Sequence, residues 1–274
     1  MSDYGMLLMA ILLMAGCTQQ DVVEAPQLGE HERAAIAERI FINECAGRTS
    51  CLTSWNKGEE FASLGIGHFI WYPAGIAAKE KSFSESFPAL VHFMQSKGAI
   101  TPAWLRADSG CPWTDRGSFM DNLNGQKLSE LRTWLMKTMP LQADFMADRL
   151  TQALPRMLRA APEEQRSHIR RQFERVSASP MGMYALMDYV NFKGEGINPK
   201  ERYDGQGWGM LQVLSLMRGE RAGMEAIAEF ADAADKLLTR RVAHAPEERH
   251  EEHWLSGWRK RLQTYTQEAG RLKS

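Results

Sequence analysis

Apolar positions recur along most of this chain with a helical period rather than a strand period. In Glu30–Glu44, EHERAAIAERIFINE, residues Ile36, Ile40 and Glu44 fall at i, i+4 and i+8, with Ala37 and Phe41 beside them. That spacing predicts a helix whose final glutamate lies on the apolar side. The period changes at 61–72, FASLGIGHFIWY: Leu64, Ile66 and Ile70 share one parity, and Phe61, Ser63, Gly65, Gly67 and Phe69 share the other. The alternation predicts a strand belonging to a small hairpin or sheet, ended by Pro73 and Gly75.

Helical patterning then resumes. Ser86-Phe87-Pro88 opens a helix that Gly98 closes. KLSELRTWLMKTM, PLQADFMADRLTQALPRML and PEEQRSHIRRQFERV are amphipathic, while MGMYALMDYVNF and WGMLQVLSLM are apolar enough to be buried helices. Between the last two lies KGEGINPKERYDGQGWG, a long Gly-rich connection of the kind that often carries function. MEAIAEFADAADKLLTRRVAHA follows, then a terminal helix over 254–270 on which Trp254 and Trp258 share a face as core anchors. The expected class is α+β, predominantly α-helical, with a small β element beside a helical lobe. No Rossmann or phosphate-loop glycine fingerprint is present.

Composition narrows the function classes. The 274 residues are 44% hydrophobic and 24% charged with a formal net charge of −1, which suits a globular fold and lacks the basic excess of a nucleic-acid binder. No CxxC pair or Cys/His spacing points to zinc, so no metal and no cofactor are expected. His250 and His253, three apart among glutamates, fit a solvated helix face. Met6–Ala15 is an unbroken apolar run, too short to span a bilayer and suited to a signal-peptide core. LMAGC resembles the lipobox of bacterial lipoproteins. The resemblance implies a signal over 1–17, lipidation at Cys17 and a tether over 18–30. Thr18, where an Asp is absent, implies the periplasmic face of the outer membrane. Residues 31–274 would then form one domain, with 31–80 carrying the acidic helix and hairpin and 81–274 the helical lobe. Cys45, Cys51 and Cys111 remain; the short loop favours a Cys45–Cys51 bridge, with Cys111 a competing partner for either.

Glycoside cleavage needs a proton for the leaving oxygen and a second group that activates water or steadies a cation-like ring. Glu44 suits the donor: it ends a helix, where the macrodipole disfavours negative charge, and it shares a face with Ile36 and Ile40, where desolvation favours the protonated form. Glu59 and Glu60 are candidates for the second carboxylate. If the strand reaches back to Glu59, that residue shares parity with Ser63, Gly65 and Gly67, whose bare backbone would admit a sugar ring while Ser63 holds a water. His68, on the parity of Leu64, reads as a hydrogen-bonded structural histidine. In the Gly-rich connection and the helix before it, Asp188, Asn191, Lys193, Glu195, Glu201, Tyr203, Gln206 and Trp208 interleave polar groups with aromatics, as a saccharide groove requires.

Asn43-Glu44 closing a helix, followed by an acidic hairpin with SLGIGH, resembles phage-type lysozymes of the lysozyme-like superfamily. Over residues 33–72 the resemblance implies a catalytic glutamate at Glu44, a threonine position filled by Ser63, and the Gly-Ile-Gly-His tetrad at 65–68. The family's aspartate is offered only as Glu59 or Glu60, both nearer the glycines than the family spacing. The longer Glu-to-Gly interval is filled by the Cys45/Cys51 loop. GQGWGMLQVL is similar to the GLMQ helix starts of lytic transglycosylases. The expectation is a lipid-anchored, monomeric envelope enzyme that cleaves β-1,4 bonds of peptidoglycan and binds no nucleic acid. Glu44 would be the acid, with Glu59 or else Glu60 as base or stabiliser. The alternatives are a single-acid lytic transglycosylase, a chitosan-directed glycosidase, and a catalytically silent scaffold that binds glycan or an envelope partner.

Overall fold

The computed structural model describes residues 28–81 and 83–267. Cys17, the lipobox and residues 18–27 lie outside the described residues. The first helix, α1 (Glu30–Cys45), buries Ile36 and Ile40 completely. Three short strands follow, β1 (Thr53–Ser54), β2 (Ala62–Leu64) and β3 (Phe69–Trp71), in an antiparallel sheet of order β1-β2-β3. The rest is helical: α2 (Phe87–Ser96), α3 (Arg116–Asp121), α4 (Gln126–Lys137), α5 (Met139–Ala160), α6 (Glu163–Ser177), α7 (Pro180–Lys193), α8 (Met210–Leu216), α9 (Met224–His244) and α10 (Glu252–Gln267). Among the described residues no helix is long and apolar enough to cross a membrane.

The strand expected over 61–72 is two strands with a turn at 65–68, so the single parity does not hold. His68 N donates to Gly65 O at 3.3 Å, closing the turn, and both residues have positive φ (71° and 48°). Because the turn takes four residues, Leu64 pairs with Phe69 and Ser63 with Ile70. Paired residues share a face, so Phe69 joins Leu64 on the buried side and Ile70 joins Ser63 on the other. The strand does not reach back to Glu59; β2 starts at Ala62.

The glycines of the turn serve packing, which corrects their expected role as an open floor for a sugar ring. Gly65 and Gly67 are buried. A Cβ at Gly65 would lie 2.4 Å from Gln142 Oε1, and one at Gly67 would lie 2.6 Å from the Phe69 ring. Gln142, on α5 and fully buried, accepts from Ile66 N at 2.9 Å and donates to Leu135 O at 2.6 Å. Its amide therefore ties the hairpin to the helical lobe with its polar atoms satisfied.

Helix α7 is the central strut. Ser179 caps its start by accepting from Gly182 N at 3.2 Å, and Pro180 occupies the first turn, where its missing N–H costs nothing. Nine consecutive residues, Met181–Tyr189, are buried, which matches its apolar sequence. It packs against α1, α5, α6, α8, α9 and α10. Of the two tryptophans expected to anchor α10, only Trp258 is half-buried; Trp254 is 62% exposed.

Cys45 and Cys51 are joined in a disulfide, and Cys111 is a free, buried thiol whose pKa burial pushes up to about 12. The bridge spans only six residues, so loop-closure entropy assigns it about 2–3 kcal/mol. Replacing both cysteines with serine should lower stability by that amount in urea denaturation, and a reducing agent should reproduce the loss in the native protein.

Candidate functional site

Two helices, α7 and α10, converge on the end of α1. Tyr184, Asp188 and Asn191 lie at i, i+4 and i+7 on α7, and Arg261, Thr264 and Tyr265 at i, i+3 and i+4 on α10. These spacings put each trio on one helix face. Asp188, fully buried, accepts from Arg261 Nε (2.7 Å), Arg261 Nη2 (2.9 Å), Tyr265 Oη (2.6 Å) and Asn43 Nδ2 (3.1 Å). Asn43 also donates to Tyr184 Oη at 2.7 Å.

Arg261 is the hinge of this network. Its Nη2 donates to Asp188 and, at 2.5 Å, to Glu44 Oε1. Burial opposes its charge, but the Asp188 and Glu44 carboxylates outweigh burial and hold the guanidinium well above its ordinary pKa. Burial, with the Asp188 charge, likewise raises the Tyr265 phenol well above its usual range.

The Glu44 side chain is 12% exposed. Two donors converge on one of its oxygens: Oε1 accepts from Arg261 and, at 3.0 Å, from Asn191 Nδ2. The other oxygen, Oε2, lies 3.6 Å from His68 Nδ1. His68 Nε2 is 3.3 Å from Cys51 Sγ; a disulfide sulfur carries no proton, so the ring N–H is the only donor available there. His68 is thus part of the site rather than the purely structural residue its parity implied. The setting also differs from the apolar one expected. Burial is present, but it comes with a cation shared between two carboxylates.

The other candidates are dispersed. Glu59 accepts from Asn56 Nδ2 at 3.1 Å within the 56–59 turn, Glu60 is exposed, and neither is among the polar partners of Glu44. Ser63 is 4% exposed and its carbonyl accepts from Ser54 Oγ at 3.1 Å. Asn191, Tyr203 and Trp208 line a cleft of about 590 Å³, together with Lys193, Glu201, Arg241, Arg249 and, from the segment after β3, Phe83. Glu195 is turned to Arg156, and Gln206 to His244 at 3.2 Å. The Gly-rich connection is explained by close approach: a Cβ on Gly209 would lie 2.2 Å from Gly196 N.

Sequence reasoning passed over Arg261 and Tyr265, and read His68 as structural. The helical spacing on α10 was a usable signal for the first two, but their partners lie far away in the chain.

Lys193 stands on the cleft wall between two rings, its Nζ 3.6 Å from the Trp258 centroid and 4.1 Å from that of Phe192. Burial, helped by Arg241 and Arg261 and opposed by Glu251, lowers its pKa to about 7. The unfolded chain would hold this proton up to about pH 10.5. Folding therefore disfavours the charged amine fully below about pH 7, and the penalty fades as pH rises toward the unfolded value. Lys193→Met should raise stability by about 1–2 kcal/mol at pH 6, with the gain vanishing near pH 10. Thermal melts of both proteins across that range would check it.

Compared with protein-family models, with curated proteins and with solved structures, the chain matches none of them.

Proposed function

We propose that this protein is a lysozyme-like glycosidase of the cell envelope that cleaves β-1,4 bonds in peptidoglycan, with Glu44 as proton donor. One observation carries the reading: both fixed donors, Asn191 and Arg261, engage Glu44 Oε1, which leaves Oε2 as the oxygen to hold a transferable proton. Asn191 also lines the cleft, so the carboxyl sits beside a groove large enough for sugar rings.

In the proposed reaction Oε2–H protonates the leaving oxygen as the C1–O bond breaks. Glu59, the hairpin acid that Asn56 holds in place, takes a proton from the attacking water. An inverting arrangement leaves about 6.5–9.5 Å between the two carboxyls so that water fits, so direct contact between them is not required. A second reading is favoured by the absence of a hairpin carboxylate among the polar partners of Glu44. In that case the sugar's own C6 hydroxyl attacks C1, returns its proton to Glu44, and forms an anhydro product without water. The disulfide supports an oxidising compartment, and with Cys17 as a lipid anchor we place the protein at the outer membrane.

A substrate panel tests the assignment. Purified protein should solubilise labelled peptidoglycan and leave chitosan intact. Release from chitosan alone would redirect the assignment to a chitosan-type enzyme. Release from neither, with glycan binding retained, would make the protein a silent binder.

A further inference from the structure

Charge on the cleft wall is unevenly answered. Lys193, Lys200, Arg241 and Arg249 line the cleft against a single lining carboxylate, Glu201. Glu251, 6% exposed, lies behind the wall and is engaged by the Arg241 fork at 2.6 and 2.7 Å and by Tyr203 Oη at 2.7 Å. Arg249 donates to Tyr203 Oη at 2.9 Å. Arg241 thus has its counter-ion. Among the described residues Lys193 has no carboxylate within ion-pairing distance; its close partners are the two aromatic faces. A second group on the same wall is also unanswered: Trp208 is 3% exposed, and its indole N–H is closed off with no acceptor among the described residues. The Trp208 donor is out of a ligand's reach, so it is Lys193, a cation left over on the cleft wall, that marks where a ligand anion is missing.

We propose that this wall binds a carboxylate of the glycan, seated on the Lys193 ammonium between Phe192 and Trp258. The identity of the glycan rests on the glycosidase reading; the anion preference does not. The excess of cations over carboxylates disfavours polyamine ligands such as chitosan. Carboxylates on such a polymer come from an acidic sugar substituent or from an attached peptide, and both present the same chemistry to Lys193.

Calorimetric titration tests this on the Glu44→Gln background, which spares the ligands. Three oligomers of equal length serve as probes: neutral N-acetylated, carboxylated without peptide, and carboxylated with peptide. The carboxylated forms should bind about tenfold or more tightly than the neutral one, as expected for a charged hydrogen bond. Lys193→Met, which should fold with increased stability, should abolish that difference and leave the neutral oligomer's affinity unchanged. Lys193→Arg should keep part of it. A gain by the peptide-free acid locates the carboxylate on the sugar; a gain only with peptide locates it there. Near pH 7 binding should also take up a proton, seen as a buffer-dependent enthalpy, because an anion restores charge to an amine faced by Arg241 on α9, Glu251 before α10 and Arg261 on α10. Equal affinity for neutral and acidic oligomers, or equal loss of both in Lys193→Met, would overturn the proposal. Selective binding without any cleavage by the native protein would remove the enzyme reading and leave this one standing.

Discussion

Asp188→Ala should cost about 3–5 kcal/mol of stability, the largest loss expected from any single substitution here. The carboxylate is fully buried and receives both prongs of the Arg261 fork, the Tyr265 hydroxyl and the Asn43 amide. Removing it leaves a guanidinium that is 12% exposed with Glu44 alone as its anion, strips the buried Tyr265 hydroxyl of its acceptor, and leaves the half-buried Asn43 amide with Tyr184 only. Asp188→Asn preserves shape but not charge and should recover only part of the loss. For a chain of this size the alanine variant should melt on the order of 10 °C lower. A change below about 1 kcal/mol would mean that Arg261 finds another anion or that the network is open to solvent.

Glu44→Gln should reduce glycan cleavage by about 10²–10⁴-fold while the fold persists. Arg261 keeps its two bonds to Asp188, and the glutamine carbonyl still accepts from Asn191, so little packing changes. The effect should fall on turnover, because the lost proton transfer belongs to the transition state. Substrate affinity should be nearly unaltered. A variant with equal activity would show that the proton comes from elsewhere.

Much of this was legible in the chain. The Ile36–Ile40–Glu44 spacing placed the glutamate on the inner side of α1, and the apolar run in α7 marked the central helix. Asn191 was singled out from its polar-aromatic neighbourhood, and it does reach Glu44. What the local pattern could not supply was pairing at a distance. Arg261 meets Glu44 across 217 residues, and nothing near either residue encodes that meeting. The hairpin misled for a different reason. A four-residue turn reverses the parity of everything after it, so Phe69 went to the core and His68 turned toward Glu44. The glycines suggested an open floor; their neighbours Gln142 and Phe69 fill it. Lys193 read only as one groove-lining polar group among several, because its burial depends on Trp258 from the far end of the chain.

Mass spectrometry of fragments released from purified peptidoglycan in ¹⁸O-enriched water examines the role of Glu44 in one step. The native protein should release fragments whose new reducing ends carry the heavy oxygen, and Glu44→Gln should release almost none. Anhydro ends without label would keep Glu44 as the acid and replace water with the sugar hydroxyl. Equal release by the two proteins, or no release by either, would contradict the assignment of residue 44 as the proton donor.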